Sequence, residues 1–419
     1  MEEKIVQIED VSYEGSGVGR LGGKVCFVPK TLVGEKVAVE IENEKSSYAN
    51  GKIKSILQAS SDRVDAFCPY FQICGGCAFQ HMNEKKEKET KISILRKEFA
   101  KINFSKNIDF VASNSRKNYR NKLKLEIKND KIGYFKPKSH EFFEIDSCPI
   151  ATQKINNAIA KTREFLSKNL IPDAKNVYFK ETNCGVAVCF LFDRSVQKKV
   201  EKIKNLELFD GLSLFFAFGD VLESNDTKIL HICGDKKLFK NFGGEDFEID
   251  VSSFNQVNDY VAEKLYRKVC EHCKDKRVVN AYSGQGLLTY LIAKKASFVY
   301  GIEYQKSAHE KAEKFLSKFE TYKMRNFCGK VENELPKILE TDKIDLLVLD
   351  PAREGCKKPV LEAIRDSQIE EILYVSCNFS SFVRDFLLLK DDYEIQEVCI
   401  FDMFPCCNSM EVFVRMKRV

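Results

Sequence analysis

Two side chains near the end of this chain could do covalent chemistry together. One is Cys377, in the run Tyr374-Val375-Ser376-Cys377-Asn378; the other is Glu411, in Phe404-Pro405-Cys406-Cys407-Asn408-Ser409-Met410-Glu411. Upstream, Leu349-Asp350-Pro351-Ala352-Arg353-Glu354-Gly355 reads as an acidic strand end followed by a sharp loop. Around one pocket, a thiolate and a carboxylate suit the addition of a methyl group to a ring carbon that is not reactive by itself. Carbon 5 of uracil is such a carbon. A thiolate that adds at carbon 6 turns the ring into an enolate, and carbon 5 then has the carbanion character to attack a sulfonium methyl. A base must next take the proton from carbon 5 so that the cysteine can be eliminated. Each residue has a plainer reading too: Cys377 as a buried strand-end cysteine, Glu411 as an exposed strand residue. Asp350 could hydrogen-bond near the nucleophile or the ring.

A cofactor site is legible upstream. Val278-Val279-Asn280-Ala281-Tyr282-Ser283-Gly284-Gln285-Gly286 reads as a strand, a tight turn and a helix start. Glycines at Gly284 and Gly286 let backbone approach a ligand closely. At the next strand end, Tyr300-Gly301-Ile302-Glu303 sets a carboxylate where ribose hydroxyls would sit. The pair points to a nucleoside cofactor without separating a dinucleotide from S-adenosylmethionine; the acidic Asp350-Pro351 strand end points to a methyltransferase.

A third constellation is Cys68-x5-Cys74-x2-Cys77, with Gly75-Gly76 letting the loop wrap, and Cys148 in Ser147-Cys148-Pro149 as a candidate fourth thiolate. Four thiolates suit zinc or an iron–sulfur cluster. Spacing does not choose between them, although the long gap to Cys148 leans away from a compact zinc ribbon. Cys270-x2-Cys273 lies in a helical pattern and reads as structural, and Cys184, Cys189 and Cys233 read as small buried hydrophobes. Cys406-Cys407 adjoins the proposed pocket and has no assigned role.

The elements that must position these residues follow from pattern. Residues 1–60 alternate short β-type runs with glycine turns, as in a small antiparallel barrel. Residues 84–101 read as a charged helix with Ile92, Leu95 and Phe99 on one face. Strands are expected at 122–127, 131–135 and 141–145, and mixed helix and strand over 151–240. From about 247 the pattern alternates: helix 258–273, strand 277–281, helix 286–294, strand 298–303, helix 306–317, strand 344–350, helix 359–366, strand 371–375 and helix 380–389. Strands 394–401 and 410–416 follow. Such alternation predicts an α/β fold with a parallel, doubly wound sheet and ligands at the carboxyl ends of its strands.

The 419 residues allow two to four domains, and 44% hydrophobic with 31% charged residues reads as soluble and globular. No apolar run approaches the roughly 20 residues of a membrane span, and the start shows no basic and apolar signal pattern, so a cytoplasmic location is expected. Sixteen cysteines spread through such a chain suggest thiols for metal binding or catalysis rather than disulfides. The net charge of +5 is uneven: residues 1–140 hold 26 basic and 18 acidic residues, the remainder 41 and 44. Nine basic residues fall between Arg116 and Lys138, beginning with Arg116, Lys117, Arg120 and Lys122, against Glu126 and Asp130. This suggests a polyanionic partner, or else a solvated lysine-rich face. No heptads suggest a dimer, and no obligate protein partner is evident.

These motifs resemble the RNA 5-methyluridine methyltransferases, in particular the iron–sulfur branch that modifies 23S ribosomal RNA. The resemblance runs nearly end to end. Asp10-Val11-Ser12-Tyr13-Glu14-Gly15-Ser16-Gly17-Val18-Gly19-Arg20 is similar to the family's TRAM domain, an oligonucleotide-binding barrel. The stretch from Cys68-Pro69-Tyr70-Phe71 to Cys77-Ala78-Phe79-Gln80-His81 resembles the cluster loop and implies a 4Fe–4S cluster on Cys68, Cys74, Cys77 and Cys148. Tyr119-Arg120-Asn121-Lys122 and Gly133-Tyr134-Phe135 resemble central-domain segments. Phe254-Asn255-Gln256-Val257-Asn258 resembles a segment whose glutamine, here Gln256, lies near cofactor and base. The resemblance implies Cys377 as nucleophile, Glu411 as base, and S-adenosylmethionine held by Gln256, Tyr282, Gly284, Gly286, Glu303 and Asp350. Asn280 stands where the family usually has Asp, Ser283 where it has Cys, Ala352 where it has Pro, and Cys406 to Met410 where it carries Thr and His.

The expectation is therefore three parts: a TRAM barrel over 1–60, a central RNA-binding region with the cluster loop over 61–245, and a Rossmann-like methyltransferase domain over 246–419. The target uridine would be extruded from its stack. Two alternatives stand beside it: the same chemistry on transfer RNA, and a non-catalytic RNA-binding or ribosome-assembly factor.

Overall fold

The computed structural model describes residues 4–168, 171, 173–200, 211–224, 226–319 and 321–419. Residues 201–210, part of the stretch expected to mix helix and strand, lie outside the described residues. The chain separates into two compact units, residues 1–110 with 404–410, and residues 111–403 with 411–419.

In the first unit, Lys4–Val11, Gly17–Leu21, Lys24–Val28, Tyr48–Gln58 and Lys36–Glu44 close into a barrel in that order. Alternation puts Val6, Ile8, Cys26, Val28, Val37 and Val39 inside. Gly19 allows the barrel to close there, because a Cβ would overlap the Gln7 carbonyl oxygen. Buried Glu35 accepts hydrogen bonds from Leu32 N (2.9 Å) and Arg63 Nη2 (2.7 Å), tying the barrel to the loop that follows. Helix Glu84–Phe99 starts at Asn83, whose side chain accepts from Lys86 N. Its inner face differs from the expected Ile92 stripe. Ile94, Leu95 and Phe99 are buried together with Glu87 and Lys91, which pair at 2.8 Å. Charged letters hid this face because their charges cancel inside.

The second unit holds two large sheets. In one, Lys228–Cys233, Leu212–Phe218, Val186–Phe192, Ala174–Glu181, Lys122–Lys128, Lys131–Phe135 and Phe142–Glu144 are neighbours in that order. Val186–Phe192 and Leu212–Phe218 pair in parallel and are buried along their whole length. Their unbroken apolar runs fit a strand covered on both faces.

The other sheet runs Met324–Cys328, Phe298–Glu303, Arg277–Ala281, Leu346–Leu349, Glu371–Ser376, Glu411–Arg418, Tyr393–Phe401. The first five are parallel. The last two depart from the expected all-parallel sheet: Glu411–Arg418 inserts between Glu371–Ser376 and Tyr393–Phe401 and is antiparallel to both. The Val412-Phe413-Val414 run, fully buried, suits this interior position. Helices Asp259–Glu271, Leu287–Ala293, Lys306–Leu316, Val331–Thr341, Lys358–Arg365 and Phe379–Phe386 alternate with the strands. No helix among the described residues is long and apolar enough to cross a membrane.

Candidate active site

Strand order and register gather three candidate side chains at one sheet edge. Leu349 is level with Tyr374, so Asp350 leaves its strand beside the end of Glu371–Ser376. The antiparallel neighbour starts there, with Val412 opposite Ser376. Glu411 therefore begins its strand where Cys377 ends the adjacent one. Cys377 is half-buried, and Glu411 is only 4% exposed, unlike the exposed strand residue of its plainer reading.

Two locks hold this edge. Arg353 O accepts from Asn378 Nδ2 at 2.9 Å and from Ser381 Oγ at 2.6 Å, fastening the loop after Asp350 to the turn that carries Cys377. Buried Asp385 accepts from Cys356 N and from the Tyr374 hydroxyl, each at 2.7 Å. Gly355 makes the bend between them at φ +76°, and a Cβ there would lie 2.6 Å from Asp385 Oδ2.

The surroundings raise the pKa of all three groups. Burial pushes Asp350 up to about 7. Burial, then the Asp350 charge, raises Glu411 well above the carboxylate range, with Arg353 opposing. Burial, then Glu411 and Asp350, pushes the Cys377 thiol to about 11, with Arg353 again opposing. Two buried carboxyls that repel each other share protons readily, which suits acid–base work.

A cleft of the same unit opens beside Asp350. It is lined by Phe254, Gln256, Tyr266, Asn280, Tyr282, Ser283, Gly284 and Asp350, among others. Gly284 takes φ +56° with open space where a Cβ would lie, a cradle for close ligand approach. Tyr282 also has a positive φ, 63°, in the turn. Gly286 serves packing instead: it starts helix Leu287–Ala293, and a Cβ would meet Ala312 Cβ at 2.9 Å. Glu303 braces the turn, its oxygens accepting from Gly284 N (2.9 Å) and Gln305 N (2.7 Å). Asn280 donates to Thr289 Oγ1 at 2.9 Å and is satisfied inside the fold. Turn backbone, carboxylate and apolar wall suit a nucleoside.

The Gln256 segment is held by Asn121, which the sequence marks only as part of the resemblance over 119–122, and by Lys180, which it does not mark. Asn121 Nδ2 donates to Gln256 O (3.0 Å) and Asp259 Oδ1 (2.8 Å), and Asn121 N donates to Val257 O. Lys180, 3% exposed, reaches Asp250 O, Ser253 O (2.9 Å) and Ser253 Oγ (2.8 Å). The available signal was a lysine directly continuing the apolar run Val177-Tyr178-Phe179. Tyr266 was also missed; it lines the cleft, and burial, then the charges of Asp350 and Glu411, raise its pKa.

The basic stretch is partly neutralised. Lys122 pairs with Glu223 at 3.1 Å, Lys124 with Glu126 at 3.2 Å, Lys131 with Glu144 at 2.8 Å, and Lys136 with Glu141. Arg120 Nε donates to Lys122 O. Arg116 is half-buried; Lys117, Lys128 and Lys138 are exposed.

Cys68, Cys74 and Cys77 lie in the first unit and Cys148 in the second. Among the described residues, no three His, Cys, Asp or Glu side chains converge as a preformed metal site. The donor chemistry of the loop nevertheless fits a soft metal centre. Three thiols fall within ten residues, and Gly76 N donates to Cys74 Sγ at 3.3 Å. Burial raises Cys68 and Cys74. A hydrogen bond with Cys407, then burial, raises Cys77. Cys148 N donates to Asn156 Oδ1 at 2.8 Å.

The sheet and its cleft define a methyltransferase fold joined to a TRAM-type barrel. A TRAM domain model matches residues 2–54, and a tRNA (uracil-5-)-methyltransferase model matches residues 333–419. An uncharacterized RNA methyltransferase of Caldanaerobacter subterraneus is 33% identical, over 99% of this chain and 98% of its own length. One of Fusobacterium nucleatum is 31% identical, over 99% and 95%. The chain belongs to this RNA methyltransferase family and is an enzyme of that kind. The crystal structure of Pyrococcus abyssi tRNA (uracil-54, C5)-methyltransferase in complex with S-adenosyl-L-homocysteine shares the fold, with TM-score 0.79 and 23% identity over 99% of this chain and 100% of that one.

Proposed function

We propose that the protein methylates carbon 5 of a uridine in RNA through a covalent Cys377–uracil adduct, with 23S ribosomal RNA as substrate. The register that sets Glu411 at the start of the strand beside Cys377, with Asp350 on the other side, carries this reading. Bound S-adenosylmethionine supplies a methyl group on a positively charged sulfur. Cys377 adds to carbon 6 as the thiolate, carbon 5 attacks the methyl group as its bond to the donor sulfur breaks and leaves a neutral thioether, and ionised Glu411 removes the carbon 5 proton so that the thiolate leaves. Gln256, Tyr282, Gly284 and Asp350 would hold the cofactor, on a turn that Gly286 and Glu303 fix.

The three-part organisation belongs to this reading: the 1–60 barrel and the 61–245 region hold RNA, with phosphate contacts from Arg116, Lys117, Arg120 and Lys122, and 246–419 performs the transfer. So does a 4Fe–4S cluster on Cys68, Cys74, Cys77 and Cys148, supported by the loop's thiol donors. A cytoplasmic location goes with an RNA substrate. A transfer RNA substrate is favoured by one observation, the tRNA (uracil-5-)-methyltransferase activity for which the matched family model and the Pyrococcus abyssi protein are named.

Incubation with 5-fluorouridine-substituted RNA and methyl donor is expected to trap a protein–RNA adduct on Cys377, seen by denaturing gel and peptide mass spectrometry. Absence of the adduct sinks the mechanism. Mapping 5-methyluridine in ribosomal and transfer RNA from a strain lacking the protein decides the substrate.

A further inference from the structure

The segment Phe404 to Cys407 is stapled onto the cysteine loop within the first unit. Cys406 O accepts from Ala78 N and Phe79 N, each at 2.8 Å. Cys406 N donates to Glu87 Oε1 at 2.6 Å, and Lys91, paired with Glu87, donates to Phe404 O at 3.0 Å. This places Cys407, which no part of the proposed function uses, against the loop. Its Sγ donates to Gly76 O at 3.0 Å and lies within hydrogen-bond reach of Cys77 Sγ. Gln80 also joins the group, bonding to Cys77 and accepting from Cys68 N at 3.1 Å.

We propose that Cys407 is a positioning and tuning residue of the cysteine centre, its S–H donating a hydrogen bond to Cys77 Sγ when that sulfur is a metal-bound thiolate. The inference rests on the reading that this loop holds a 4Fe–4S cluster. A metal-bound thiolate carries negative charge and accepts hydrogen bonds. Such bonds stabilise the more negative, reduced state of a cluster and raise its reduction potential. The Cys407 rotor turns from Gly76 O to Cys77 Sγ about one side-chain bond, and the staple holds its backbone in place meanwhile. No bond to the metal forms or breaks, and Cys407 keeps its proton.

The test compares anaerobically purified wild type, Cys407→Ala and Cys407→Ser. Iron and sulfide content is measured, and the midpoint potential is read by dithionite titration followed in visible absorption. The expected result is equal iron in all three, a more negative midpoint for Cys407→Ala, and a midpoint near wild type for Cys407→Ser, whose hydroxyl restores a donor. An unchanged midpoint in Cys407→Ala overturns the proposal alone. Loss of iron from both variants also overturns it, since that behaviour belongs to a direct thiolate ligand. Wild type without iron and sulfide overturns the cluster reading itself, and the inference with it.

Discussion

At Cys377 and Glu411 the two halves of the reaction are separable. Cys377→Ala should bind RNA with wild-type affinity yet give no methylated product and no adduct, checked by filter binding and by mass spectrometry of the RNA. Glu411→Gln keeps the nucleophile and loses the base, so the enzyme should add to the ring and stall. Protein–RNA adducts are expected to accumulate on ordinary RNA while turnover falls by about 10²-fold or more. Asp350 makes a prediction about stability. Its carboxyl titrates near 7 in the folded protein against a usual 3.8. The folded state prefers the neutral acid, so this contribution is full below about pH 4 and is lost as pH rises through 7. Asp350→Asn stays neutral throughout. The melting temperature of wild type relative to Asp350→Asn should therefore fall from pH 4 to pH 7 and level off above, as measured by differential scanning fluorimetry.

Elements explain why residues so far apart in sequence meet, and Lys180 shows how an element can hold a loop. Its Nζ fastens the turn at 250–253, just ahead of Gln256. Lys180→Met removes the donor and leaves carbonyls unpaired in a buried place, at a cost of about 1–3 kcal/mol. Chemical denaturation should read that loss, and a raised KM for S-adenosylmethionine with a smaller change in kcat should accompany it. Much at this scale was legible in the sequence. The expected strands 277–281 and 298–303 match Arg277–Ala281 and Phe298–Glu303, because short apolar runs between helical periods have few other solutions. Strand Met324–Cys328 and helix Val331–Thr341 escaped notice. The first carries Arg325 and Asn326 among its five residues, and the second has Pro336 inside it. The insertion of Glu411–Arg418 between two earlier strands was also not legible, since local pattern gives a strand's existence and not its neighbours. The stapling of Phe404 to Cys407 onto the cysteine loop is long-range for the same reason.

For the whole molecule, charge is the property that reaches furthest, and the fold has changed what the sequence count implied. Nine basic residues between Arg116 and Lys138 looked like one footprint, yet Lys122, Lys124, Lys131 and Lys136 each have a carboxylate partner. A cation already paired gains less from a phosphate, because its partner must be given up or the anion held nearby. Exposed pairs are worth little in themselves, so the distinction lies in net field rather than stability. Lys128 and Lys138 are exposed and lie outside these pairs. Each phosphate contact that releases a counterion adds about 0.7 to the slope of log affinity against log salt for single-stranded nucleic acid. The double substitution Lys128→Ala, Lys138→Ala should lower that slope by about 1.4, measured by fluorescence anisotropy on a uridine-containing RNA across a salt series. Lys131→Ala, which frees Glu144 of one of its partners, should leave it nearly unchanged. Equal slopes for wild type and the double variant would move the RNA path away from this stretch, and the barrel surface would be the next place to substitute.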